Sequence, residues 1–145
     1  MTSTPAPSGL PLPYGAPISL AQAKVIMAAA EKEAAANHWP MAIAIVDSTG
    51  HLVLFQRADQ TQLGSMEVSV GKAMTAVKFR RPTKVFEDAI AGGGAGLRLT
   101  TMPGVLALEG GIPIVVGGQV IGAIGVSGML STQDAQVANA GLAAL

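Results

Sequence analysis

Cysteine is absent from all 145 residues. That removes disulfides, thiolate metal sites and a cysteine nucleophile in one step. Charge is scarce too: 12% of residues are Asp, Glu, Lys or Arg, and nine basic groups balance nine acidic ones. A chain with no basic excess has little to offer a nucleic acid, so nucleic-acid binding is set aside. Histidine occurs twice, with no H-x-H or H-x-x-x-H pair, which argues against a zinc or non-haem iron centre built within one chain. Long apolar runs are missing as well. Pieces such as IPIVV fall far short of the ~20 residues a membrane helix needs, so no membrane partner is expected. The start, MTSTPAPSGLPLPYGAP, has no basic n-region and no apolar h-region. No signal peptide is read there, and the expected location is the cytoplasm.

What is present is small and apolar. Half of the residues are hydrophobic, yet only 3% are aromatic. Ala and Val carry the difference, which points to tight helix–sheet packing or to faces buried between subunits. The length suits one domain. Residues 1–17 read as a flexible proline-rich arm and 18–145 as a single domain. With so few charges a monomer would lack polar surface, so a homo-oligomer is expected.

Periodicity then sets the elements. Ser19 and Gln22 form a capping box that opens an alanine-rich helix over 20–37, closed off by Pro40. MAIAIVD and HLVLFQR flank the turn DSTG as a hairpin, with Leu52, Leu54 and Gln56 alternating against His51, Val53 and Phe55. A 3.6 period returns over 65–80. There Met66, Val70, Ala73 and Val77 share one helix face, and Ser65, Ser69, Lys72 and Ala76 another. Pro82 breaks that helix, TKVFEDAIA forms a second, and GGGAG (92–96) reads as a flexible joint. VLAL, IPIVV and QVIGAIGVS read as three strands. A second capping box, Ser131 to Asp134, opens a last helix with Ala135, Ala138 and Leu142 inward. The order α-β-β-α-α-β-β-β-α with hairpin-length links predicts a largely antiparallel sheet in an α/β (α+β) domain.

The glycine-rich stretch EGGIPIVVGGQVIGAIGVSG raises the question of a phosphate cradle. Neither G-x-G-x-x-G after a strand nor G-x-x-x-x-G-K-[ST] occurs. Gly117-Gly118 instead fits a two-residue hairpin turn, and Gly122 and Gly125 fit close backbone approach within a strand. Glu109-Gly110-Gly111 is left over. A carboxylate beside two bare backbone amides suits a ligand contact.

Three segments carry a family resemblance: IAIVDSTGHLVLFQRAD, SMEVSVGKAMTAVKFRRPT, and EGGIPIVVGGQVIGAIGVSG with its trailing Asp134. In this order and spacing the chain from Ser19 onward resembles the GlcG/HbpS-like family, related to the C-terminal domain of PduO-type adenosyltransferases. The resemblance implies a profilin-like fold, a five-stranded antiparallel sheet with helices on both faces, and homo-oligomeric assembly. It also implies haem as a cofactor or ligand, links to corrinoid-related proteins, and catabolic operons such as those for glycolate use. No single chemistry unites the family, so fold transfers better than function.

The chemical candidates follow. Ser69-Val70-Gly71-Lys72 matches S-x-x-K, but neither S-D-N nor K-T-G accompanies it, so it reads as coincidence. Lys72 is either a snorkelling or carboxylate-paired lysine or a ligand contact, and Glu109 and Asp134 are its candidate partners. Glu109, Gly110 and Gly111 are expected to line a pocket with Lys72. Arg57, leaving a strand end, suits a bidentate carboxylate contact. His51 and His38 are the candidate haem iron ligands. The cluster KFRRPTK could attract an anion such as a haem propionate, though a positive helix C-terminus explains it equally. The methionines read as fillers of core or interface.

Two functions fit. One is a module that binds haem or a related tetrapyrrole in an apolar crevice. The other is a cofactor-free catabolic isomerase, hydratase or lyase acting on a small carboxylate, with Lys72, Glu109 and Asp134 sharing acid–base work. Residue patterns leave open whether the protein is an enzyme.

Overall fold

A computed structural model describes residues 11–145. Helix α1 (Leu20–Ala36) opens on the Ser19–Gln22 capping box, whose reciprocal hydrogen bonds both form. Strands β1 (Ala42–Asp47) and β2 (Leu52–Arg57) follow, then α2 (Gly64–Phe79) and α3 (Thr83–Ala91). A 3-10 helix (Gly94–Thr101) leads into β3 (Gly111–Val116), β4 (Gln119–Ser127) and α4 (Ser131–Leu142). The fold is mixed α/β. One antiparallel sheet runs in the order β2-β1-β4-β3.

Each face of the sheet carries its own layer. Residues Ile43, Ile45, Ile124 and Val126 point to one side and pack with Ile26, Met27, Ala30, Val137 and Ala138 of α1 and α4. Ala44, Val46 and Ala123 point to the other and meet Ala73, Ala76 and Val77 of α2. On that side the layers come close. A Cβ at Gly125 would collide with the backbone of Ser69 and Ala73, so only glycine lets α2 settle there. The Gly117-Gly118 turn joins β3 to β4 with both residues at positive φ, as the hairpin requires.

Four expectations change. The sheet has four strands, not five, because VLAL forms no strand. Leu106 lies against Gly71, and its backbone N–H donates to Thr75 Oγ1 at 2.9 Å. A helix side chain takes the hydrogen bond a strand partner would have taken. The GGGAG joint is structured: from Gly94 it enters the 3-10 helix, which packs on α3. The second capping box is only half formed, because the N-cap is Leu130, whose side chain has no acceptor. Gln133 Oε1 accepts from Leu130 N–H at 3.2 Å, while Asp134 turns inward. Residues 11–17 of the expected arm are held on the sheet: Pro13 and Gly15 exchange backbone hydrogen bonds with Val120, and Tyr14 Oη donates to the Val77 carbonyl at 2.6 Å. The first ten residues of that arm lie outside the described residues.

The boundary of β2 also departs from plain alternation. Ile45 pairs with Leu54 but Val46 pairs with Leu52, so Val53 is an extra residue in the ladder. This bulge puts Leu52 on the same face as Phe55, where strict alternation separates them.

Candidate functional site

The sequence candidates sort into two places at opposite edges of the sheet. Along the β3 edge, Glu109, Gly110 and Gly111 line a cleft of about 210 Å³ with Pro82, Lys84, Ile112, Ala135 and Asn139. Lys72 is not on its lining. Its ammonium lies behind Gly110, where it donates to Asp134 Oδ2 at 2.8 Å and to the Val126 carbonyl at 2.9 Å. Both side chains are sealed, at 2% and 3% exposure. Gly110 adopts φ +131°, and a Cβ there would press on Lys72 Nζ, the Val126 carbonyl and Asp134. The glycine therefore lets the chain pass over a buried ion pair.

Burial pushes the Asp134 carboxyl above its ordinary value, and the hydrogen bond and charge of Lys72 pull it back, as do the backbone N–H groups of Met129 and Gly128. Glu109 goes elsewhere. Its carboxylate sits 4.0 Å from Lys84 Nζ, which also meets Asp88 at 3.2 Å. The structure thus brings Lys72, Gly110 and Asp134 together and leaves Glu109 with a different lysine. Shared acid–base work by Lys72, Glu109 and Asp134 loses its geometric basis, since Lys72 and Asp134 are closed from solvent and paired with each other. Ser69 does not meet Lys72 either; its hydroxyl donates to the Met66 carbonyl.

Arg57 stands on the other side, at the end of β2. Its guanidinium donates to Met66 Sδ at 3.4 Å. Next to this contact, β2 and α2 splay apart into a crevice of about 530 Å³ lined by Leu52, Phe55, Met66, Glu67, Val70 and Gly71. Apart from Glu67 the lining is apolar. Sequence reasoning missed this place. Its signal was the half-buried stripe Met66–Val70 on α2, which became a crevice wall while Ser65, Ser69 and Lys72 went inward.

The two histidines differ in setting. His38 sits at the end of α1 with φ +58°, in the layer opposite α2. His51 enters β2 from a turn in which Asp47 Oδ1 accepts from Thr49 N–H at 2.8 Å, from His51 N–H at 3.2 Å and from Thr49 Oγ1 at 2.6 Å. Partial burial works against ionisation of Asp47, but the Thr49 hydroxyl and these backbone N–H groups hold its carboxyl below the ordinary value. Thr49 Oγ1 lies 2.8 Å from His51 Nδ1. This turn also meets α2: Met74 Cε stands 3.8 Å from where a Gly50 Cβ would be, and Tyr14, Ser48, Thr49, Gly50, Val77 and Lys78 line a separate depression of about 330 Å³. Of the basic cluster, Arg80 stacks on Tyr14, with its guanidinium carbon 4.9 Å from the ring centroid. Among the described residues, no three His, Asp or Glu side chains converge to hold a metal ion, and no helix is long and apolar enough to cross a membrane.

Known proteins resemble this chain over most of its length. Protein GlcG of Escherichia coli (strain K12) is 43% identical over 110 residues, 76% of this chain and 81% of that one. A crystal structure of a double mutant of Streptomyces reticuli HbpS superposes with a TM-score of 0.83 at 29% identity, covering 100% of this chain and 97% of the other. The crystal structure of a PduOC:heme complex superposes with a TM-score of 0.81 at 28% identity, covering 89% and 95%. The family model described as haem degrading protein HbpS-like matches residues 18–143, and with that span the chain belongs to the HbpS-like family.

Proposed function

We propose that this protein binds haem or a related tetrapyrrole in the apolar crevice between β2 and α2. The crevice itself carries the reading. Sites for ligands of that size run from ~300 to ~1,000 Å³ with mostly apolar walls and a few placed polar groups. At about 530 Å³ the crevice lies in this range, and the Glu109 cleft at about 210 Å³ falls below it. Leu52, Phe55, Met66 and Val70 would face the macrocycle, and Arg57 at the rim suits a propionate. When bound, haem would bring the iron and its redox chemistry; the chain would contribute apolar walls and a cation. A relative solved with haem and the family's description support the same reading. The Glu109–Gly110–Gly111 cleft is left for a smaller ligand, with the Lys72–Asp134 pair buried behind Gly110.

The crevice is open, and Leu52 is 52% exposed on its rim. Self-association belongs to the proposal, because Leu63 at 78% and Leu130 at 68% exposure also stand in solvent. Titration with hemin tests the function: one equivalent should give a saturating Soret shift. Leu52→Glu, at an exposed position that folding tolerates, should weaken binding at least tenfold, or about 1.4 kcal/mol. Hemin uptake that is unsaturable, or equal in the variant, defeats the crevice reading.

A further inference from the structure

The two edges of the sheet are finished differently. Along an antiparallel ladder every second residue turns its amide and carbonyl away from its neighbour strand. Val126 donates to the Gly110 carbonyl, so on β3 the outward-facing residues are Gly111 and Pro113. The Gly111 N–H is taken by Thr83 Oγ1 at 2.9 Å, and Pro113 has no N–H to offer. That edge is closed to a further strand. On β2, Ala58 donates to the Met41 carbonyl at 3.1 Å, so Phe55 and Arg57 turn their backbone groups outward. Among the described residues nothing meets those groups. Proteins that do not use a sheet edge block it, as this chain does on β3.

Both flanks of the bare edge are grooved. On the α2 side lies the crevice with Leu52, Phe55 and Glu67, and Arg57 reaches Met66 on the same wall. On the α1 side Lys24, Met27, Glu31, Leu54 and Gln56 line a depression of about 260 Å³. Each groove carries one acid and one base. Lys24, Glu31, Arg57 and Glu67 are all exposed, and among the described residues none of them forms an ion pair. Lys24 and Glu31 stand two turns apart on α1, ~10 Å along its axis, too far to pair with each other. A two-fold axis through the middle of β2, normal to the sheet, exchanges the ends of each groove and sets each acid against the other copy's base. The pattern is self-complementary, which singles out a second copy as the occupant.

We propose that β2 pairs antiparallel with β2 of a second copy, joining two four-stranded sheets into one, with Lys24 against the partner subunit's Glu31 and Arg57 against the partner subunit's Glu67. The proposal deepens the self-association reading above and rests on it. The crevice, open along this edge, gains a further wall from the partner subunit.

Sedimentation and light scattering without hemin read the assembly. Lys24→Glu and Glu31→Lys each set like charges opposite one another across the axis, and each should weaken assembly at least tenfold. An equimolar mixture of the two variants should return to wild-type affinity, because unlike charges then face each other again. Arg57→Pro repeats on β2 the block that Pro113 provides on β3; it should weaken assembly while circular dichroism shows the fold kept. Since the chain has no cysteine, Gln56→Cys should be captured as a dimer by a short bismaleimide, and Val116→Cys on the far edge should not.

A monomeric wild type removes this proposal together with the self-association reading. An oligomer indifferent to both charge reversals, or one captured through Val116→Cys and not through Gln56→Cys, overturns the β2 pairing and leaves self-association and the tetrapyrrole reading standing. So does a folded Arg57→Pro protein that assembles as the wild type does.

Discussion

The two faces of one sheet are built by different rules. Under α1 and α4 the contacts are branched aliphatics, Ile26 against Ile43, Ile45, Ile124 and Val126. Under α2 the side chains are mostly small or polar: Ala44, Ala123 and Gly125 from the sheet meet Ser65, Ser69, Ala73 and Ala76, with Val46, Val77 and Val120 the larger members and Lys72 midway along the helix. One layer holds by area removed from water, the other by close backbone approach and satisfied hydrogen bonds. The crevice opens on one flank of the second layer, and at its other edge the sealed Lys72–Asp134 pair ties α2 to α4.

Breaking the polar layer at its costliest point should give the largest effect. Lys72→Met leaves Asp134 buried without its partner, and unfolding experiments should register a loss of about 3–5 kcal/mol. Lys72→Met combined with Asp134→Leu should recover most of it, since removing both charges also removes their desolvation cost. A double variant no more stable than the single one would show that the pair is more than a solved burial problem.

On the aliphatic face, Ile124→Ala should cost about 2–5 kcal/mol through lost transfer energy and a residual cavity. Its neighbour on the strand, Gly125, should behave oppositely. Gly125→Ala adds a single methyl group yet should destabilise, because it meets the Ser69 and Ala73 backbone rather than a mobile side chain. A neutral Gly125→Ala in urea unfolding would mean that α2 is not tightly seated.

Smaller still is Ser65→Ala. The Ser65 hydroxyl lies 3.1 Å from that of buried Ser127. Its loss should cost about 1 kcal/mol in thermal or chemical unfolding, the scale of one neutral hydrogen bond.

The smallest effect is a slope with pH. The Asp134 carboxyl is raised in the folded protein by burial. As pH climbs out of the acid range the unfolded chain ionises this group first, so its contribution to stability is complete below the ordinary carboxylate value. That contribution declines as pH rises to the raised folded value. Unfolding free energies measured across mildly acid pH should show this decline in the wild type and lose it in Asp134→Asn. An unchanged slope would place the raised proton affinity elsewhere.

Much of the fold was legible because local chemistry agreed with tertiary need. Ser19 and Gln22 cap, Pro82 breaks, Gly117-Gly118 turns, and each does so for reasons contained in a few residues. VLAL misled because a short apolar run states only that it is buried. Gly71 on a distant helix offered Leu106 its place. Asp134 misled because its spacing from Ser131 suits a cap, and only the fold reveals Lys72 62 positions earlier in the chain. The crevice was hidden by the bulge at Val53, which moves Leu52 beside Phe55 against simple alternation. Glu109 lines a cleft without the expected Lys72, and its pairing with Lys84 depends on where α3 begins.

The strand order has a consequence for how the molecule is made. β4 lies between β1 and β3 and supplies inward residues to both layers, and its first partner, β1, pairs Ala42 with Ser127. At about 5–20 residues per second on the ribosome, β1 and β2 wait several seconds for the strand that completes either face. During that wait Ile43, Ile45 and Val46 have no sheet neighbour on one side. Until β4 is made, the open edge of this first hairpin is the part of the nascent sheet most exposed to pairing with another strand.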